Sequence, residues 1–297
     1  MILRQVKSVI SKKKATSKNM LNFIIISRNR ASLVKNAVDF ALQDAKISIH
    51  IMDMDSEYVP LKDYLELIQN HPRVTVHYLE NLGPRKLWIN SVFKSIAKSK
   101  HGFFLSDGDI DYSDTSIAIF DYFKALSREF PGMRKIGAAL RLNDLPKNTI
   151  KSKKISESEL SNWDCRRFID RTLFLAPTDT TFAFYPRYTN LFYLWPAIRV
   201  AGIYQVRHMP SYYDNEKMTD EEKFYVETAE NWGNAGISNE RGILAGDVDP
   251  ENLITIKYHK FIRAILLLSP QLASRFLSLI IKLRNKDSYL TKEFMAK

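Results

Sequence analysis

The segment Phe103-Phe104-Leu105-Ser106-Asp107-Gly108-Asp109-Ile110-Asp111 sets two carboxylates on either side of a glycine, with another acid following. Carboxylates at this spacing suit a hard divalent cation that keeps open positions for phosphate oxygens, and the glycine lets the backbone approach closely. The residues before Asp107 read as a short buried strand of a parallel sheet, and the acids begin where it ends. Ligands of open α/β sheets collect at the carboxyl ends of strands. The chemistry indicated is a metal-diphosphate site. Two other readings compete for the same residues. Asp-Gly-Asp is a common turn composition. A phosphatase could also end a strand on its nucleophile, pairing Asp107 with Asp109 or Asp109 with Asp111.

The elements before the acids bear on that choice. Leu21 to Ile26 reads as a buried first strand, followed by the polar loop Ser27-Arg28-Asn29-Arg30 and a helix with Val34, Ala37, Val38 and Ala41 on one face. A second strand, Ile47 to Met52, runs into Asp53-Met54-Asp55-Ser56, and a helical pattern covers Leu61 to Gln69. An acid at that strand's end is placed to meet a ribose or a base edge. Val74 to Tyr78 is a third strand, and Asn81-Leu82-Gly83-Pro84 breaks it before a helix carrying Ile89, Phe93, Ile96 and Ala97. Pro84 suits a first helical turn. Alternating strands and helices predict an α/β fold with a mostly parallel, Rossmann-like sheet flanked by helices. The first loop lacks the glycine fingerprints of dinucleotide-binding folds and of phosphate-loop triphosphatases.

Composition sets the outer limits. The 297 residues, 45% of them hydrophobic, suffice for one large domain or a domain with an appendage. Lys and Arg number 44 against 33 Asp and Glu, and the surplus of +11 favours polyanions or anionic lipid. The single cysteine, Cys165, cannot form an internal disulfide, so a reducing cytoplasmic compartment is expected. Residues 1–20 form a basic N-terminal segment, and the apolar Phe23 to Ile26 is too short for a signal-peptide core or a membrane span.

Taken in order, Ile25-Ile26-Ser27-Arg28-Asn29-Arg30, Asp53-Met54-Asp55-Ser56, Asn81-Leu82-Gly83 and Ser106-Asp107-Gly108-Asp109 resemble the nucleotide-sugar half of family-2 glycosyltransferases with the GT-A fold. The resemblance implies that Ser27, Arg28 and Asn81 line the nucleoside pocket, that Asp53 faces the base, and that Asp107 and Asp109 hold a divalent metal, Mn²⁺ or Mg²⁺, and the ribose. Asp53 as a turn or helix cap is the plain alternative. The phosphatase reading loses ground, because its nucleophile normally ends the first strand of a domain and three strand units precede this pair.

In the second half, Ile136 to Arg141 reads as a strand and residues 147–161 as a polar loop. Asp179 precedes the strand-like Thr180 to Tyr185 and is the expected base that takes the acceptor hydroxyl's proton. An aspartate bonded only to neighbouring backbone is the alternative, and Asp214 and Glu216 compete for the role. The resemblance implies that a late histidine, His208, completes the metal site, and imidazole suits Mn²⁺. Arg199 and Arg207 are candidate neighbours of the diphosphate. The segments around Asp179, Arg199 and His208 also resemble glycosyltransferases of bacterial surface-polysaccharide and lipopolysaccharide synthesis, with Ser211 standing where a tryptophan is common.

The expected organisation is a catalytic domain over 21–250, with a nucleotide-sugar half 21–111 and an acceptor half 112–250, followed by a basic amphipathic helical tail over 251–297. Residues 227–246 are a candidate loop that closes over the donor. The tail interleaves Lys257, Lys260, Arg263, Arg275, Lys282 and Arg284 with apolar residues and fits an anionic membrane surface at the inner face of the cell membrane. Packing on the catalytic domain or in a homo-oligomer interface is its alternative. The resulting expectation is a metal-dependent, inverting glycosyltransferase that moves a sugar from a nucleotide diphosphate, UDP being the expected nucleotide, to a saccharide or lipid-linked saccharide. The rival is a non-catalytic basic protein binding membrane or polyanion, and no nucleic-acid module supports a nucleic-acid partner.

Overall fold

Three neighbouring strands end together at one edge of the sheet, and that edge carries the acids. The computed structural model describes residues 20–81, 83–146, 155–157, 159–160, 169, 172–176, 178, 181–188, 197–213 and 218–229. Within them, β1 (Leu21–Ser27) lies between β2 (Ile47–Met54) and β4 (Phe103–Asp107), and β3 (Val74–Leu79) flanks β2. These four strands are parallel, with Ser27 opposite Asp53 and Ile26 opposite Asp107. β2 runs two residues beyond the predicted Met52, which brings Asp53 inside the ladder.

Beyond β4 the sheet changes direction. β8 (Phe182–Tyr185) pairs antiparallel with β4 and with β6 (Lys135–Ala138), and β9 (Ala197–Val200) then pairs parallel with β6 and antiparallel with β7 (Leu173–Leu175). The whole is an eight-stranded, mostly parallel sheet of the α/β Rossmann-like class. A second ribbon pairs β5 (Ile110–Asp111) with β10 (Arg207–His208).

Helices cover both faces. α1 (Ala31–Leu42) and α2 (Val59–Ile68) are joined on one face by α5 (Ile119–Glu129), while α3 (Pro84–Leu87) and α4 (Ser91–Ala97) pack on the other. Alternation along β1 divides the core: Phe23 and Ile25 face α1 and α5, and Ile24 faces Phe93 and Trp88. Phe104 meets Phe120 at 4.8 Å and Phe182 at 5.5 Å between ring centres, so β4, α5 and β8 share one aromatic cluster beneath the acids. Each such buried side chain contributes roughly 1.5–3 kcal/mol of hydrophobic stabilisation.

One helix differs from its predicted form. The run through Ile89 is interrupted because Asn90 takes an extended ψ of 132° and its side chain accepts from the N–H groups of Val92 and Phe93. Asn90 thus starts a new helix, and Ile89 is left exposed in the gap. Among the described residues, no helix is long and apolar enough to cross a membrane. The N-terminal segment up to residue 19 and the 251–297 tail lie outside the described residues, as do most of the 147–161 and 227–246 loops.

Candidate functional site

The loop after β1 is tied to the loop after β2 by Asn29. Its left-handed backbone (φ 51°) turns the side-chain oxygen onto the N–H groups of Glu57 and Tyr58, at 2.7 and 3.0 Å, at the start of α2. The Asn29 N–H donates in turn to Ser56 Oγ, and Ser56 Oγ–H donates to Asp53. Asp53 thus accepts from both the N–H and the hydroxyl of Ser56. Burial pushes the Asp53 carboxyl upward, and the two hydrogen bonds from Ser56 oppose that shift. Ser27, directly beside it in the ladder, is fully buried, and its Oγ has no hydrogen-bond partner among the described residues. Asn81 lies just past β3 and accepts from the Gly83 N–H at 3.4 Å. Arg28 is half-buried and donates to the Thr228 carbonyl of α6 (Asp220–Thr228) at 3.3 Å.

The acids follow at the tip of β4. Gly108 is required there: a Cβ on it would lie 2.4 Å from the Ile26 carbonyl oxygen. The chain can turn from Asp107 to Asp109 only because the two backbones touch. Asp109 faces inward, and its Oδ2 stands 3.5 Å from His208 Nε2 and 3.5 Å from Arg30 Nη1. Its Oδ1 is buried and has no hydrogen-bond partner among the described residues.

His208 reaches this point through the small ribbon. It pairs with Ile110, and the next N–H, of Met209, donates to the Asp109 carbonyl at 3.0 Å. Burial works against a charged imidazole, but Asp109 and then Asp107 more than offset it, so His208 holds its proton more firmly than an ordinary histidine. Burial likewise opposes ionisation of Asp109, and His208 followed by Arg30 overcomes it, holding the carboxyl below its usual range. The cluster is a charge-compensated site, with one carboxylate shared by two cationic groups.

A divalent ion can be tested against these residues. The unpartnered Asp109 Oδ1 is the kind of donor a hard cation takes, and imidazole and carboxylate together suit Mn²⁺. Among the described residues no three His, Cys, Asp or Glu side chains already stand in a metal-holding group. The preformed element is thus the Asp109–His208 pair, and Asp107 acts on it through its charge.

Both candidate phosphate arginines are engaged elsewhere. Arg199 is ion-paired with Glu159 inside the second half of the sheet. Arg207 holds Asp111 at 3.1 Å, Asp144 at 2.6 Å and also Asp114, and thereby fastens β10 to its surroundings. Asp179, Asp214 and Glu216 lie outside the described residues. Sequence reasoning missed Arg30, although it sits in the same polar loop as Ser27 and Arg28. It also missed Tyr213 and Tyr225, whose rings lie 5.7 and 3.8 Å from the Arg30 guanidinium carbon.

No family model and no curated protein matches the chain. Among solved structures, the mannosyltransferase PcManGT from Pyrobaculum calidifontis, in complex with GDP-Man and Mn²⁺, is similar with 13% identity over 90% of this chain and 87% of that one, at a TM-score of 0.41. A mycobacterial protein is similar with 13% identity over 63% of this chain and 67% of that one, at a TM-score of 0.36.

Proposed function

We propose that this chain is a metal-dependent glycosyltransferase that moves a sugar from a nucleotide diphosphate, with UDP as nucleotide, onto a saccharide or lipid-linked saccharide. The observation that carries the reading is the meeting of Asp109 and His208 at a strand tip, with Asp109 Oδ1 buried and unpartnered. An unsatisfied oxygen on a buried carboxylate is a place where an ion can be accepted.

In this reading Asp107, Asp109 and His208 hold Mn²⁺ or Mg²⁺, which when bound supplies positive charge against the leaving diphosphate. Ser27, Arg28, Asp53 and Asn81 bind the nucleoside. The Ser27 hydroxyl and the Asp53 carboxylate are neighbours in the ladder and supply a donor and an acceptor for base or ribose. The acceptor hydroxyl oxygen attacks the anomeric carbon as the bond to the diphosphate breaks, which inverts the centre, and Asp179 takes the hydroxyl proton.

The catalytic domain spans 21–250, divided at 111 into donor and acceptor halves. The basic tail over 251–297 rests on anionic lipid at the cytoplasmic face, where a lipid-linked acceptor of surface-polysaccharide synthesis would be met. Flotation with anionic liposomes tests the tail: a chain cut before Leu253 should no longer float, and unchanged flotation removes the membrane role.

Calorimetry with a panel of nucleoside diphosphates, with and without Mn²⁺, tests the activity. At least one nucleotide should bind only with metal, and Asp109→Asn should abolish that binding. Absence of any metal-dependent nucleotide binding refutes the enzyme reading.

A further inference from the structure

Arg30 is enclosed on every side that the described residues define. Its side chain is 5% exposed, Nη1 donates to the Tyr213 hydroxyl at 3.2 Å, and the guanidinium lies over the Tyr225 ring at 3.8 Å. Among the described residues, Asp109 is the one carboxylate within ion-pair distance, at 3.5 Å. A guanidinium withdrawn this far from water needs that carboxylate and those aromatic faces to offset its lost hydration.

The same carboxylate is the centre of the cation site. A divalent ion on Asp109 would face a fixed positive charge, and like charges at such distances in a half-buried site repel strongly. Arg30 on Oδ2 and a divalent ion on Oδ1 therefore compete for the charge of one carboxylate. Arg30 follows Ser27, the last residue of β1, by three positions and Arg28 by two, so a guanidinium released from Asp109 stays close to the proposed nucleoside residues.

We propose that Arg30 is a resident counter-cation which a divalent ion displaces from Asp109, and that the displaced guanidinium then binds the phosphate groups of the donor. The inference rests on the metal reading above. It makes Arg30 a determinant of metal affinity that works against the metal while the donor is absent. It also makes metal and phosphate mutually reinforcing, since each removes the other's competitor.

The test uses the full chain and two simple probes, Mn²⁺ alone and inorganic pyrophosphate at saturating Mn²⁺. Arg30→Gln should tighten Mn²⁺ binding about tenfold and weaken pyrophosphate binding about tenfold, as expected for removal of one nearby charge. Tyr225→Leu, altered only on the peripheral helix α6, should loosen Arg30 and tighten Mn²⁺ binding about twofold to threefold. Unchanged or weaker Mn²⁺ binding in folded Arg30→Gln overturns the proposal, and if that variant does not fold, an unchanged affinity in Tyr225→Leu does so. Pyrophosphate binding equal to that of the parent chain overturns the phosphate role. If Asp109→Asn still abolishes Mn²⁺ binding in those cases, the metal reading survives alone. If neither the parent nor Arg30→Gln binds Mn²⁺, both fail together.

Discussion

The N–H of Met209 donates to the carbonyl of Asp109 at 3.0 Å, so the backbone of the late segment is fastened to the acid that its neighbouring imidazole faces. Two separate parts of the chain are thereby held in one register by backbone pairing, with His208 opposite Ile110. The imidazole does not reach Asp109 by chance rotation of an exposed side chain. Its place follows from a two-residue ribbon.

So short a ribbon has little stability of its own, and Arg207 supplies the rest through Asp111, Asp114 and Asp144. Arg207→Ala should cost about 1–2 kcal/mol in urea unfolding, because the network is only partly buried. It should also weaken Mn²⁺ binding about tenfold by loosening the support of His208. Stability loss with full metal affinity would show that the ribbon holds without it.

Gly108→Ala places a methyl group where the Ile26 carbonyl oxygen already stands, 2.4 Å away. Backbone cannot yield as a flexible side chain would. The expected loss is about 1–3 kcal/mol of stability. Metal-dependent nucleotide binding should fall with it, since Asp107 and Asp109 flank the displaced residue. A thermal melt superimposable on that of the parent chain would contradict this packing.

Acid should destabilise the protein through a histidine pair remote from the site. His50 Nδ1 and His77 Nε2 lie 3.2 Å apart, one imidazole donating to the other. Burial, and secondarily the His77 charge, pull His50 down to about 4 from 6.5, and burial also lowers His77. The unfolded chain thus binds more protons between these values, so the contribution is fully present above pH 6.5 and is lost as pH falls toward 4. For His50 it amounts to roughly 3–4 kcal/mol at about 1.4 kcal/mol per unit. Urea titrations at a series of pH values should show a shallower acid slope in His50→Gln than in the parent, and identical slopes would contradict it.

The parallel strands are legible in the sequence because each is an apolar run buried on both faces. Phe23 to Ile25 and Phe103 to Leu105 are fully buried, as such runs require. Asp53 and Asp107 were readable as strand-end acids for the same reason. Ile89 was misjudged because apolar spacing carries no record of Asn90 capping a new helix behind it. The Arg30–Asp109 pair left no local signal, since it joins two loops only through the β1–β4 register. His208 came into view through family resemblance alone, because a two-residue strand has no periodicity to read.

The central claim is that Asp109 and His208 bind one cation, and pulsed electron paramagnetic resonance of Mn²⁺ on the full chain with nitrogen-15 histidine tests it most directly. A histidine nitrogen coupling to the bound ion, lost in His208→Gln while the other histidines remain, is the expected result. Bound Mn²⁺ showing no histidine coupling, or a coupling untouched by His208→Gln, would contradict the account.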